Sequence, residues 1–153
     1  MSYMKEAKAS KFDRDPALSS PLAAAVSAQD RETLAMVSSA LKDRRMRLAF
    51  QPVVYAADPS VIGFFEGFIR LLNLRDQVIP ARDFMAAVEQ LQLGREIDCA
   101  ALQLGLMAMQ RNPQIRVSVN MSARSVGYQR WAGILRRALR DSPKLGYNLI
   151  LEI

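Results

Sequence analysis

Three apolar, strand-like runs in this chain each deliver one oxygen-bearing side chain. Glu66 follows Val61-Ile62-Gly63-Phe64-Phe65, Asn120 follows Val117-Ser118-Val119, and Glu152 follows Leu149-Ile150-Leu151. Three such side chains converge on one cation only if the runs lie side by side in a sheet. Parallel strands separated by helices achieve this, because their carboxyl ends share a rim where strand-end and loop residues do chemistry.

The intervening segments have the periodicity such a sheet needs. Residues 1–28 are rich in Ala, Ser and Lys, with Pro16 and Pro21 and no sustained period, and are expected to form a flexible leader or linker. From Asp30 to Arg45 the positions Leu34, Val37, Ala40 and Leu41 predict a helix. Leu48 to Val54 predicts a strand ending at an Asp58-Pro59-Ser60 turn, and Val61 to Leu71 is an apolar run suited to burial on both faces. A helix is expected from Pro80 to a stop at Gly94, burying Phe84, Ala87, Val88 and Leu91. A second, Arg95 to Gln110, buries Ile97, Ala101, Leu104 and Ala108. Ile115–Met121 reads as a strand, Ser122–Asp141 as a helix containing Trp131, and Tyr147–Ile153 as a final strand. Alternating strands and helices predict an α/β fold with parallel pairing.

The residue inventory narrows the chemistry. Histidine is absent, which removes Ser-His-Asp and Cys-His catalysis and ordinary zinc sites. Carboxylates, amides, arginines and lysines remain, so a metal would be a hard one such as Mg²⁺, Mn²⁺ or Ca²⁺. The lone Cys99 lies in an apolar helical pattern and is expected to be a buried, inert thiol. No apolar run approaches the roughly 20 residues a membrane helix needs, and Met1 to Asp15 alternates charges, so a cytoplasmic protein is expected. The net charge of +6 is carried partly by Lys42–Arg47 and by Arg130, Arg136, Arg137, Arg140 and Lys144. Apolar Ile134, Leu135, Ala138 and Leu139 interleave with the second set at helical spacing, as on a helix with a solvated basic back. Aromatic stacking residues are not interleaved with it, so no specific DNA or RNA binding is expected.

Four short segments, in order and at suitable spacing, resemble the EAL domain family. They are Phe50-Gln51-Pro52-Val53-Val54, Glu66-Gly67-Phe68-Ile69-Arg70, Ser118-Val119-Asn120-Met121-Ser122 and Leu151-Glu152-Ile153. Ile79–Phe84 and Gly94–Leu102, with Asp98 in the family's place, agree. The resemblance covers residues 29–153 and implies the N-terminal half of a TIM-like barrel, about four of eight strands, with the first strand antiparallel and helices outside. It implies bacterial cyclic di-GMP hydrolysis to linear pGpG, with Mg²⁺ or Mn²⁺ held by Glu66, Asn120 and Glu152. Gln51, Phe68 and Arg70 would contact the cyclic dinucleotide. In the family's two-metal scheme the ions activate water and stabilise in-line displacement at phosphorus.

Taken without the family, these residues admit other roles. Glu66 after a buried run needs a ligand or an Arg70 ion pair, because an unpaired buried carboxylate is costly. Asn120 fits strand-end backbone capping as well as metal binding, Gln51 and Arg70 fit a polar strand residue and a surface cation, and Glu152 beside a terminus fits simple solvation. Two departures from the family bear on activity. The signature triplet reads Glu66-Gly67-Phe68 in place of the usual Glu-Ala-Leu, and the family's later paired aspartates, lysine, glutamate and glutamine would follow Ile153. The expectation is therefore a phosphodiesterase half that is inactive alone and pairs with the missing half or another copy. A catalytically silent cyclic di-GMP or protein-binding module is the alternative, and a basic nucleic-acid-binding protein a third.

Overall fold

The structure, a computed structural model, describes residues 21–153. Residues 1–20 of the expected leader lie outside the described residues. The first helix, α1, spans Pro21–Lys42 and so begins before the expected Asp30. Proline is favoured in a first helical turn, where its missing N–H has no intrahelical partner in any case, and Ala23-Ala24-Ala25 adds strong helix formers. The apolar spacing read from sequence holds farther along, where Val37 and Ala40 are fully buried. The helix ends in a Schellman arrangement: Arg45 N–H donates to Ala40 C=O at 2.9 Å and Arg44 N–H to Leu41 C=O at 3.3 Å. Arg44 sits at φ 55°, a left-handed position usually given to glycine.

Strands β1 (Met46–Tyr55) and β2 (Asp58–Leu72) form a long antiparallel hairpin. The turn is Ala56-Ala57, not the expected Asp58-Pro59-Ser60; Tyr55 already pairs with Asp58, whose Oδ1 instead accepts the Ser60 N–H. A short strand, β3 (Val78–Pro80), pairs antiparallel with Arg70–Leu72 and had no distinct sequence signal. Strand β4 (Val117–Asn120) lies parallel to β2, and β5 (Leu149–Glu152) parallel to β4. The result is a mixed α/β protein whose five-stranded sheet runs β1-β2-β4-β5, with its first strand antiparallel to the second. Because β1 occupies one edge of β2, β3 and β4 share the other.

After β3 the chain makes a 3-10 turn (Ala81–Asp83) and a one-turn helix, α2 (Met85–Val88), rather than one helix from Pro80 to Gly94. Gly94 is not a stop. It lies in the first turn of α3 (Gln92–Arg111), where a Cβ would come within 2.8 Å of Val88 C=O and 3.0 Å of Glu89 Cα. Glycine is there because two backbones meet. Leu91, expected to be buried, is 43% exposed. The expected helix from Ser122 is also broken: a 3-10 turn (Ala123–Ser125) precedes Gly127, at φ 78°, and α4 begins only at Gln129 and ends at Asp141. A final turn, α5 (Leu145–Asn148), absorbs Tyr147 before β5.

Strand alternation sorts the sheet into two faces. Ile69, Leu71, Val117 and Val119 are buried and join α1, α2, α3, α4 and α5 in one core with Val37, Val88, Leu102, Trp131 and Leu145. Helix α3 crosses β4 closely, since a Cβ at Gly105 would lie 2.7 Å from Val119 Cγ2. Gly94→Ala is expected to lower stability by about 1–3 kcal/mol, because the new methyl meets backbone that cannot swing aside. Thermal melting against wild type measures this; an unchanged midpoint would show that the Val88–Gly94 contact is loose.

Candidate functional site

The opposite face of the sheet carries the polar residues. In β2 the side chains of Glu66, Phe68 and Arg70 share that face, two residues apart, while Gly67, Ile69 and Leu71 are buried in the core. Register extends the grouping across the sheet. Gln51 pairs with Glu66, Glu66 with Ser118, and Asn120 with Glu152. Ser118 and Asn120 are again two residues apart and therefore on the same face. Gln51, Glu66, Phe68, Arg70, Asn120 and Glu152 thus all lie on one face of the sheet.

Contacts tighten the arrangement. Asn120 Nδ2 donates to Glu66 Oε1 at 3.1 Å, joining two of the expected ligands directly. Glu152 is held by a different partner: the Ser118 hydroxyl donates to its Oε1. Ser118 is fully buried and was not singled out from sequence, although a lone serine alternating with Val117 and Val119 is the pattern of a side chain on the polar face. The Arg70 guanidinium stacks 5.6 Å above the Phe68 ring, and its Nη1 donates to Ile69 C=O at 3.0 Å. It does not pair with Glu66, one of the two roles open to that glutamate, and no ion pair involves Glu66 among the described residues.

The donor set suits a hard divalent cation, being carboxylate and amide oxygens without nitrogen or sulfur. Glu66 and Glu152 are half-buried and Asn120 is exposed, so their free oxygens can reach a ligand. Among the described residues no three His, Cys, Asp or Glu side chains cluster at metal-binding range. The candidate site therefore offers two carboxylates and an amide on one sheet face, of which Glu66 and Asn120 are in direct contact.

Asp98, 5% exposed on α3, anchors the loop that follows Asn120. Its Oδ2 accepts from Ser122 N–H at 3.0 Å and from the Ser125 hydroxyl at 2.5 Å. Met121 N–H donates to Glu152 C=O at 2.9 Å, tying the same loop to β5. Burial pushes the Asp98 carboxyl above the ordinary 3.8, against the opposing pull of the Ser125 and Ser122 bonds. Burial, with the Asp98 charge beside it, pushes the Cys99 thiol up to about 11, which fits the inert, buried cysteine expected from its pattern.

The comparisons with known proteins agree with this fold. The EAL domain family model matches residues 34–153, most of the chain. The chain belongs to the EAL domain family. Among solved structures, the FimX EAL domain of Pseudomonas aeruginosa bound to c-di-GMP is 25% identical with a TM-score of 0.60; the match covers 78% of this chain and 48% of that one. The Xanthomonas citri FimX EAL domain in complex with c-di-GMP is 19% identical with a TM-score of 0.70, covering 84% and 51%. The PaMucR phosphodiesterase in its c-di-GMP complex is 24% identical with a TM-score of 0.60, covering 80% and 51%. This EAL chain thus spans about half the length of the structures it matches. No curated protein matches it. Among the described residues no helix is long and apolar enough to cross a membrane.

Two outcomes follow for Asp98 and Cys99. Because the folded carboxyl titrates above its unfolded value, the stability it contributes is fully present below about pH 3.8 and is lost as pH rises through the folded value. Asp98→Asn keeps an acceptor for Ser122 and Ser125 without the buried charge. It is expected to melt at or above wild type near neutral pH, with the gap closing in acid, whereas Asp98→Ala loses about 1–3 kcal/mol. Thermal melts from about pH 3.5 to 7 decide this, and a constant gap would deny the titration. Cys99 is expected to resist a thiol reagent at about pH 8 in the native state and to react once the chain is denatured.

Proposed function

We propose that this EAL chain is the part of a cyclic di-GMP phosphodiesterase that binds the dinucleotide and contributes metal ligands for its conversion to linear pGpG. The observation that carries the reading is the gathering of Gln51, Glu66, Phe68, Arg70, Asn120 and Glu152 on one sheet face, with Asn120 bonded to Glu66. The c-di-GMP complexes among its structural neighbours support the ligand. We place the protein in the cytoplasm, in keeping with a nucleotide ligand and the sequence pattern described above.

Glu66, Asn120 and Glu152 would hold Mg²⁺ or Mn²⁺, with the Asn120–Glu66 bond and the Ser118 hydroxyl fixing donor directions before binding. A bound ion supplies Lewis-acid stabilisation of charge at phosphorus and a water nucleophile at neutral pH. Arg70 offers a planar fork of donors to a phosphate oxygen pair, and Gln51, opposite Glu66, offers an amide to the ligand's polar edge. Phe68 sets the shape beside them and supports Arg70 from below. With two carboxylates and an amide as its donors, the 153-residue chain binds without turnover and completes its site by pairing with the rest of a barrel or with another copy. A silent binding module is the second reading, favoured by Gly67-Phe68 in the signature triplet.

Calorimetry with cyclic di-GMP and Mg²⁺ or Mn²⁺, together with chromatography for pGpG, tests the proposal. The 153-residue chain is expected to bind without forming pGpG, and a longer native product containing it is expected to form pGpG, with at least about a hundredfold loss on Glu66→Ala. Binding without pGpG from the longer product would establish the silent module. Absence of binding in both forms would overturn the reading.

A further inference from the structure

Arg47, which the sequence pattern groups with the basic stretch ending α1, lies directly opposite Arg70 in the β1–β2 hairpin. The partners share a face, so Arg47 stands on the side of the sheet that carries Gln51, Glu66 and Phe68. Because β1 runs against β2, its first residues lie beside the last residues of β2, at the end where the parallel strands β4 and β5 also finish. Like charges at directly opposed positions destabilise a strand pair. Neither arginine has a carboxylate within ion-pair range among the described residues. Glu66 is four positions from Arg70 along the same strand, roughly 13 Å away and too far to neutralise the pair. Arg70 is half-buried and held by the Phe68 ring at 5.6 Å and by Ile69 C=O at 3.0 Å, whereas Arg47 is exposed and unrestrained by a hydrogen bond among the described residues.

We propose that Arg47 and Arg70 form a two-guanidinium seat for the phosphate oxygens of the cyclic dinucleotide, with Arg47 as a ligand-binding residue and Phe68 as the residue that positions Arg70. The inference rests on the reading that this face takes cyclic di-GMP. A phosphodiester between the two guanidiniums turns their mutual repulsion into two charge-assisted contacts, and planar forks on both sides match the geometry of phosphate oxygens. The half-buried arginine gives a fixed donor, and the exposed one closes onto the ligand.

The test uses the 153-residue chain with two probes, cyclic di-GMP by calorimetry and inorganic pyrophosphate by arginine side-chain NMR. Arg47→Ala is expected to weaken cyclic di-GMP by about tenfold and to make binding less sensitive to salt. Arg47→Lys should lie between, since it keeps the charge and loses the fork. Phe68→Leu should weaken binding a few-fold and Phe68→Tyr should restore it, because the ring face is retained. Thermal midpoints of the Arg47 variants should stay at or above wild type, and Arg136→Ala on the outer face of α4 should bind as wild type. Equal binding by Arg47→Ala, or an equal loss in Arg136→Ala, overturns the seat. Pyrophosphate shifting the Arg47 and Arg70 resonances while cyclic di-GMP fails to bind supports the seat and overturns the dinucleotide reading. No response to either probe overturns both.

Discussion

The long strand β2 is the member on which the rest of the structure depends. It pairs with β1 along one edge and with β3 and β4 along the other, so three of the other four strands take their position from it. Its alternation sends Ile69 and Leu71 into the core and Glu66, Phe68 and Arg70 to the opposite face. A slip of one residue would exchange the two sets, placing a carboxylate and a guanidinium among buried leucines and valines. Burying one face therefore fixes the polar face as a by-product. The end of β2 is also tied back to the helix layer, where Leu72 N–H donates to Arg45 C=O and the Arg45 guanidinium donates to Leu72 C=O.

Helix α3 is the second support, and small residues set its distance from the sheet. Gly105 allows it to rest on Val119, and Gly94 allows its first turn to meet α2. From this position α3 presents Asp98 to the loop after β4, whose backbone and Ser125 hydroxyl satisfy the buried carboxylate. The direction of Asn120 thus depends on a chain of contacts from core packing through a buried hydrogen-bonded acid to the strand end. Such chains can be rigid because each buried polar group has a partner.

Much of the architecture was legible in the residues. The β1, β2 and β4 runs and the α3 core stripe follow from apolar periodicity, whereas Glu66, expected at a strand end, lies inside β2, which continues to Leu72. The misreadings are equally specific. Ala56-Ala57 has no turn chemistry of its own, and the hairpin closes there because the long β1–β2 register demands it. Gly94 has the composition of a helix end, yet it marks a backbone contact that only packing creates. The break between Ser122 and Gln129 arises because Asp98 captures the Ser122 N–H and Gly127 takes a left-handed turn.

By itself the sequence determined which residues could do chemistry here: oxygen donors and guanidiniums on strands, with no histidine and one thiol in an apolar helix. It determined the family as well, because the motifs are local and ordered. Only the tertiary structure decided which side chains meet. That Asn120 reaches Glu66, that Glu152 is held by Ser118, and that Arg47 faces Arg70 depend on register between strands distant in sequence. Local propensity sets the period of a strand but not its alignment with a neighbour; alignment comes from burying the apolar face of the whole sheet against α3 and its companions.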